Sequence, residues 1–172
     1  MYLISEGESQ YRMQMEARKK SKIKLTQLKD PKVVELVRKT DHSTLALWAI
    51  DCTKRVMPYF EGEFPEDDRP RRALEVLRQW MATGTFKMAD IRKASLDSHA
   101  AAREVGEDNA AQSAARAAGH AVATAHVPTH SIGAAIYALQ AIYRATDSIE
   151  AIEKEQNWQY RHLLKLKKRL KA

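Results

Sequence analysis

Ala100–Ala125, AAAREVGEDNAAQSAARAAGHAVATA, is the stretch that decides the fold. It holds twelve alanines in 26 positions, with Gly119 among them. Alanine is the strongest helix former but offers little apolar area. Its value here is closeness, because small faces let neighbouring backbones approach. The spacing predicts two helices at the centre of a compact bundle, parted at Gly106, the second capped by Asp108 or Asn109. Trp48, Trp80 and the Tyr137/Tyr143 ring pair are expected to fill around them.

On the N-terminal side, a helix is expected from about Phe86 to Glu104. Before it, Asp67 or Asp68 can cap a helix with Pro70 in its first turn, and Gly84 can close it. Ala73, Leu74, Leu77, Trp80 and Met81 form that helix's buried stripe. The loop EGEFPEDDRPRR (61–72) is the clearest boundary in the chain. Upstream of it, Leu45, Trp48, Ala49, Cys52 and Val56 recur at helical spacing and predict a helix over Asp41–Phe60, limited by Pro58. Asp51 and Arg55 are expected to pair on its outer side. Pro31 opens a short helix to Arg38 with Asp30 as its cap. On the C-terminal side, Val127-Pro128 interrupts the helical pattern, a helix follows to about Ala145, and an amphipathic one runs from about Ser148 to Leu170.

No strand pattern or repeat is evident, so the expected class is all-α: a single compact multi-helix bundle with alanine-rich central helices. Residues 1–30 are expected as a polar N-terminal arm, at most partly ordered. Residues 31–172 are expected as one helical domain ending in a basic amphipathic helix.

Composition agrees. A chain of 172 residues with 44% hydrophobic and 30% charged side chains suits one soluble domain, and Gly (6) and Pro (5) are too scarce for a strand-and-turn architecture. No run of about 18 apolar residues is present, so no transmembrane segment is expected. The polar N-terminus lacks the apolar core of a signal peptide, and the single cysteine, Cys52, suits a reducing compartment, so a cytoplasmic location is expected. The net charge of +7 is concentrated: residues 154–172 carry seven Lys/Arg and one acid, Glu155, while the other 153 residues hold 22 basic and 21 acidic side chains.

The segment GHAVATAHVPTHSIGAA (119–135) brings together His120, His126 and His130, and His99 lies on the preceding helix. His126 and His130 would share a face of an unbroken helix, but Pro128 disturbs that geometry. Three readings stay open: histidines packed at helix ends, a metal site, or a metal-free polar pocket. Zinc would want three or four ligands and a second shell, and carboxylates are few on these helices. His99 and Arg103, like Arg116 and His120, are i,i+4 pairs in alanine-rich surroundings, where an arginine needs solvent, a carboxylate or a ligand. The acidic loop (Glu63, Asp67, Asp68) is expected to dock there and pair with Arg103 or Arg116. The candidate binding residues are therefore Asp67, Asp68, Arg69, His99, Arg103, Arg116, His120, His126 and His130.

No nucleophile elbow, CxxC, P-loop, GxGxxG or HExxH motif occurs, so no catalytic residue, metal or cofactor is assigned. Cys52 reads as core. In WQYRHLLKLKKRLK (158–171), Leu163, Leu166 and Leu170 lie on one side, with Lys165, Lys168 and Arg169 elsewhere. A solvated face explains that pattern; phosphate backbone, an anionic membrane or an acidic protein are alternatives.

LALWAIDCTKRVMPYF, FPEDDRPRRALEVLRQW, SHAAAREV and AARAAGHAVATAHVPTHSIGAAIYA together resemble the putative immunity protein family of small prokaryotic helical proteins. The resemblance covers about residues 40–162, including WQYRHL. It matches the family pattern at Trp48, Asp51, Cys52, Pro65, Asp67, Asp68, Arg69, Pro70, Arg71, His99, Arg103, Arg116, Gly119, His120, His126 and Gly133. It implies an all-α domain that neutralises a cognate toxin by binding it, with no catalytic role for any of these residues. The basic charge is at odds with a nuclease target.

The leading functional expectation is thus a non-enzymatic binding protein with a protein partner, a cognate toxin. The alternatives are a metal- or ligand-binding helical enzyme built on His99, His120, His126 and His130, and a nucleic-acid-associated protein acting through Arg161–Lys171. A homodimer over an alanine-rich or aromatic face is equally compatible with the sequence.

Overall fold

The computed structural model describes Gly7 and residues 23–169. Most of the N-terminal arm, and Leu170 and Lys171 of the basic end, lie outside the described residues. Among the described residues there are eight α-helices, one 3-10 turn and no strand. The turn Leu25–Leu28 leads into α1 (Pro31–Arg38), α2 (His42–Lys54), α3 (Met57–Glu63) and α4 (Arg69–Thr83). The chain continues through α5 (Met88–Glu104), α6 (Ala110–Ala123), α7 (His130–Thr146) and α8 (Ile149–Arg169). No helix is long and apolar enough to cross a membrane among the described residues.

The helix ends follow local chemistry. Asp30 accepts from the Lys32 amide ahead of α1, Asp41 from the Thr44 amide in α2, and Asn109 from the Gln112 amide in α6. Each satisfies an amide with no partner inside its helix. Gly84, at φ +66, ends α4 in the left-handed conformation that side chains resist.

The helix expected over Asp41–Phe60 is two helices. Pro58 has no N–H for the Lys54 carbonyl, and its ring would strike that carbonyl in a continuous helix. The chain stops at Lys54 and restarts with Pro58 in the first turn of α3. Leu45, Trp48, Ala49, Cys52 and Val56 are all buried, as the spacing predicts.

The alanine-rich α6 is the hub. It packs against α2, α3, α4, α5 and α7, and Ala111, Ala114, Ala115, Ala117, Ala118 and Ala121 are fully buried. The backbones come near enough for direct side-chain staples: Ser98 Oγ donates to the Ala115 carbonyl at 2.8 Å and Ser95 Oγ to that of Gly119 at 2.9 Å. Trp48 is fully buried, and its indole N–H donates to the Gln159 carbonyl at 2.9 Å. Tyr137 and Tyr143 pack into separate clusters, because six residues turn a helix through about 600°, leaving them on different sides.

The expected Asp51–Arg55 pair is also replaced. Arg55 turns to α8, donating to both oxygens of Glu155 at 2.7 and 2.8 Å while its guanidinium lies 3.9 Å from the Trp158 ring centre. Trp158 stacks on His162 at 4.6 Å, and His162 Nε2 donates to Asp51 Oδ2 at 2.7 Å. A bidentate guanidinium–carboxylate contact outcompetes a flexible i,i+4 pair. The ladder Glu155–Arg55–Trp158–His162–Asp51 fastens the last helix to α2. At the other end of the chain, Leu28 of the expected arm is buried with Leu139 and Ile152.

Candidate functional site

Three of the four histidines singled out from the sequence converge where α5, α6 and α7 lie side by side. His99 of α5 meets His120 of α6 edge-to-face at 5.2 Å between ring centres. His120 meets His130 of α7 at 5.8 Å and stacks on Tyr137 at 5.1 Å with only 23° between the planes.

Two glycines make this possible. A Cβ on Gly119 would stand 2.7 Å from His99 Cε1, and one on Gly133 would stand 2.5 Å from His120 Nδ1. Each ring therefore rests on the bare backbone of the next helix.

Arg116, one turn before His120, donates to His99 Nδ1 at 3.3 Å. Since a guanidinium only donates, Nδ1 is the acceptor and the His99 proton sits on Nε2. Burial pushes the His99 pKa down to about 4, helped by the nearby Arg116 and Arg103. His120 is likewise pushed down to about 4, by burial and then by His99 and His130. His130 is lowered by burial and by His126. At neutral pH the half-buried imidazoles of His99 and His120 are uncharged, able to donate and accept hydrogen bonds. The fixed positive charge belongs to Arg116 and the exposed Arg103.

The remaining candidates lie elsewhere. His126 is exposed in the α6–α7 connection, its ring 6.1 Å from that of Phe86. Asp67 accepts from the backbone and side chain of Arg69, and Arg69 reaches on to Glu104 at the end of α5. Those contacts hold the Asp67 carboxyl below its ordinary range, mainly through the Arg69 guanidinium. Asp68 pairs with Arg72 at 2.8 Å and Glu61 with Arg71 at 3.2 Å.

The acidic loop thus neutralises its own arginines. The expected pairing with Arg103 or Arg116 does not form: among the described residues neither has a carboxylate within 4.0 Å. The loop's own arginines are nearer, and Arg69 links the loop to α5 through Glu104 instead.

The His99 and His120 rings meet edge-to-face and those of His120 and His130 are tilted by 44°. Among the described residues no three of His, Cys, Asp and Glu are placed to hold one metal ion. A groove of about 490 Å³ lies between α4 and α5 over Val76, Trp80 and Ile91. His99 is not among its lining residues. Three of its cations, Arg69, Arg72 and Lys93, are already paired with carboxylates, so the chemically unfinished site is the histidine cluster.

Sequence reasoning missed Tyr137 as a member of this site and the seating role of Gly119 and Gly133. The available signal was the glycine immediately before His120 and the Gly133/Tyr137 pair at i,i+4.

A family model described as Imm-5 like putative immunity protein matches residues 35–166. No curated protein and no solved structure matches the chain. The matched span holds every residue of the cluster and all of α2 to α7; the chain belongs to the Imm-5 like putative immunity protein family.

Proposed function

We propose that this chain is a non-enzymatic binding protein of the immunity type, which neutralises a cognate toxin by docking it on the helical unit from Pro31 onward. The binding face is the surface of α5, α6 and α7 around His99, Arg103, Arg116, His120 and His130. One observation carries this reading. Two arginines with no carboxylate within 4.0 Å stand with a set of ring nitrogens on the helices that pack around the alanine-rich centre. A rigid, pre-positioned and incompletely paired polar set suits recognition, since little ordering remains to be done on binding. Family membership supports a protein as the class of partner.

The experiment is a tagged pull-down from the native host after nuclease treatment, with co-eluting proteins identified by mass spectrometry. The captured protein is then expressed alone and together with this chain. A stoichiometric partner whose toxicity this chain relieves supports the reading. Recovery of no protein overturns it, and binding abolished by the nuclease points instead to the exposed Arg161, Lys165, Lys168 and Arg169 of α8.

A further inference from the structure

Among the described residues Arg78, Arg92, Arg103, Arg116, Arg161 and Arg169 have no carboxylate within 4.0 Å, and of these only Arg116 is partly buried rather than exposed. Arg38, Arg55, Arg69, Arg71, Arg72 and Arg144 each have a carboxylate partner. Outside the basic C-terminal segment the chain is nearly neutral, with 22 basic and 21 acidic residues, so a partly buried arginine without a carboxylate is the local feature of the cluster. Arg116 is half-buried and turned toward His99, leaving guanidinium N–H groups without a protein acceptor. The rings of His120 and His130 have no hydrogen-bond partner among the described residues.

The same stripe of α5 continues away from His99 at helical spacing. Leu96, three residues earlier, is 54% exposed, and Arg92, seven residues earlier, is exposed as well. Leu96 is one of only four large apolar side chains exposed among the described residues. An apolar side chain flanked by cations is of little use to a free anion or a phosphate backbone, whereas a protein surface presents apolar and acidic groups together.

We propose that this face takes a carboxylate side chain of a protein partner against Arg116 and the imidazoles of His99 and His120, with Arg103 beside it and Leu96 covered by an apolar residue of the same partner. This rests on the binding reading above and adds its chemistry. A planar carboxylate accepts two parallel N–H groups from one guanidinium. Neutral imidazoles complete the shell without adding charge, which suits a monoanion better than a dianionic phosphate.

The test follows the imidazole C–H proton resonances of the full chain during titration with acetyl-Glu-Leu-Glu-Leu-amide. Acetyl-Gln-Leu-Gln-Leu-amide and inorganic phosphate are the comparators. The expected result is saturable movement of the His99, His120 and His130 signals, with His42 and His162 nearly still. Arg116→Gln should weaken the peptide about tenfold, the usual value of one charge-assisted hydrogen bond. If that variant folds poorly, Arg103→Gln on the exposed position keeps the test alive, with a weaker loss of the same sign.

Equal binding of the glutamine peptide, phosphate binding as tight as the peptide, movement spread over all six histidines, or no saturable movement would each overturn the proposal. Its failure is separable from that of the immunity reading. A toxin captured equally well by wild type and by an Arg103→Gln/Arg116→Gln double variant overturns the carboxylate site and leaves the binding function standing.

Discussion

Gly133 lies directly beneath the imidazole of His120, so close that a Cβ there would stand 2.5 Å from Nδ1 and 2.9 Å from Cγ. The second contact matters more than the first. Cγ is the root of the ring, and a clash at the root cannot be relieved by a small swing of the tip. Gly133→Ala should therefore forfeit the roughly 1 kcal/mol that alanine normally brings to a helix interior and lose about 1–2 kcal/mol more to overpacking. Gly62, within α3, has nothing within 4 Å of the corresponding position, so Gly62→Ala should be neutral or slightly stabilising. Urea denaturation of the two variants side by side checks this; equal midpoints would mean that His120 is not seated on Gly133.

The same ring makes stability depend on pH. His99 and His120 titrate near pH 4 in the folded chain, against about 6.5 when unfolded. Between those values the unfolded state binds more protons, so stability falls as pH drops from about 6.5 to about 4. Below pH 4 both states are protonated and this contribution stops changing. Above 6.5 it is absent because both states are neutral. His120→Asn should flatten the dependence within that window, read from unfolding midpoints at half-unit pH steps. An unchanged slope would place the acid sensitivity elsewhere.

The Arg55–Glu155 contact should show an asymmetry between its two partners. The Glu155 side chain is 6% exposed and that of Arg55 is 42% exposed. Removing the arginine strands a buried carboxylate, at about 3–5 kcal/mol. Glu155→Gln leaves an arginine that water can solvate and should cost about 1–2 kcal/mol. Chemical denaturation of Arg55→Ala and Glu155→Gln gives the order, and a reversed order would contradict the burial pattern.

Cys52 should be chemically silent in the folded protein. It is fully buried, and burial, together with the Glu155 and Asp51 carboxylates, raises its thiol well above the ordinary range. Nucleophilic attack needs the thiolate. A thiol reagent added to native protein should react only as fast as the chain opens, and immediately in denaturant. Prompt stoichiometric labelling of the native form would count against this environment.

Much of the architecture is legible in local chemistry. Asp30 with Pro31, Asn109 and Gly84 each mark a helix end through groups a few residues apart, and the buried faces of α2 and α4 follow from spacing alone. What escapes is whatever is decided across the fold. Asp51 and Arg55 are one turn apart, yet each prefers a partner in α8, 111 and 100 residues away respectively, because those partners are buried or geometrically better. Arg144, only 10% exposed on its side chain, donates to the Asn109 carbonyl, Gln112 and Ser113, and nothing in its neighbourhood in sequence announces this. The site divides the same way. His99, Arg116, His120 and His130 do meet, whereas His126 stands apart beyond the break at Pro128, and the acidic loop is satisfied before it can reach Arg103 or Arg116.

The alanine faces of α6 have a consequence for how such a protein changes over generations. Where a core interlocks large side chains, a lost methylene on one helix can be regained on another, and the helices slide a little to absorb the exchange. On α6 the neighbouring backbones already rest against methyl groups, so an enlargement has nowhere to go and a reduction leaves only glycine. The helix is thereby frozen in register. An exposed residue on a helix packed against it, such as Arg103 of α5, can be exchanged while its position in space stays fixed. A lineage can thus vary the chemistry of its exposed positions without disturbing the frame that presents them.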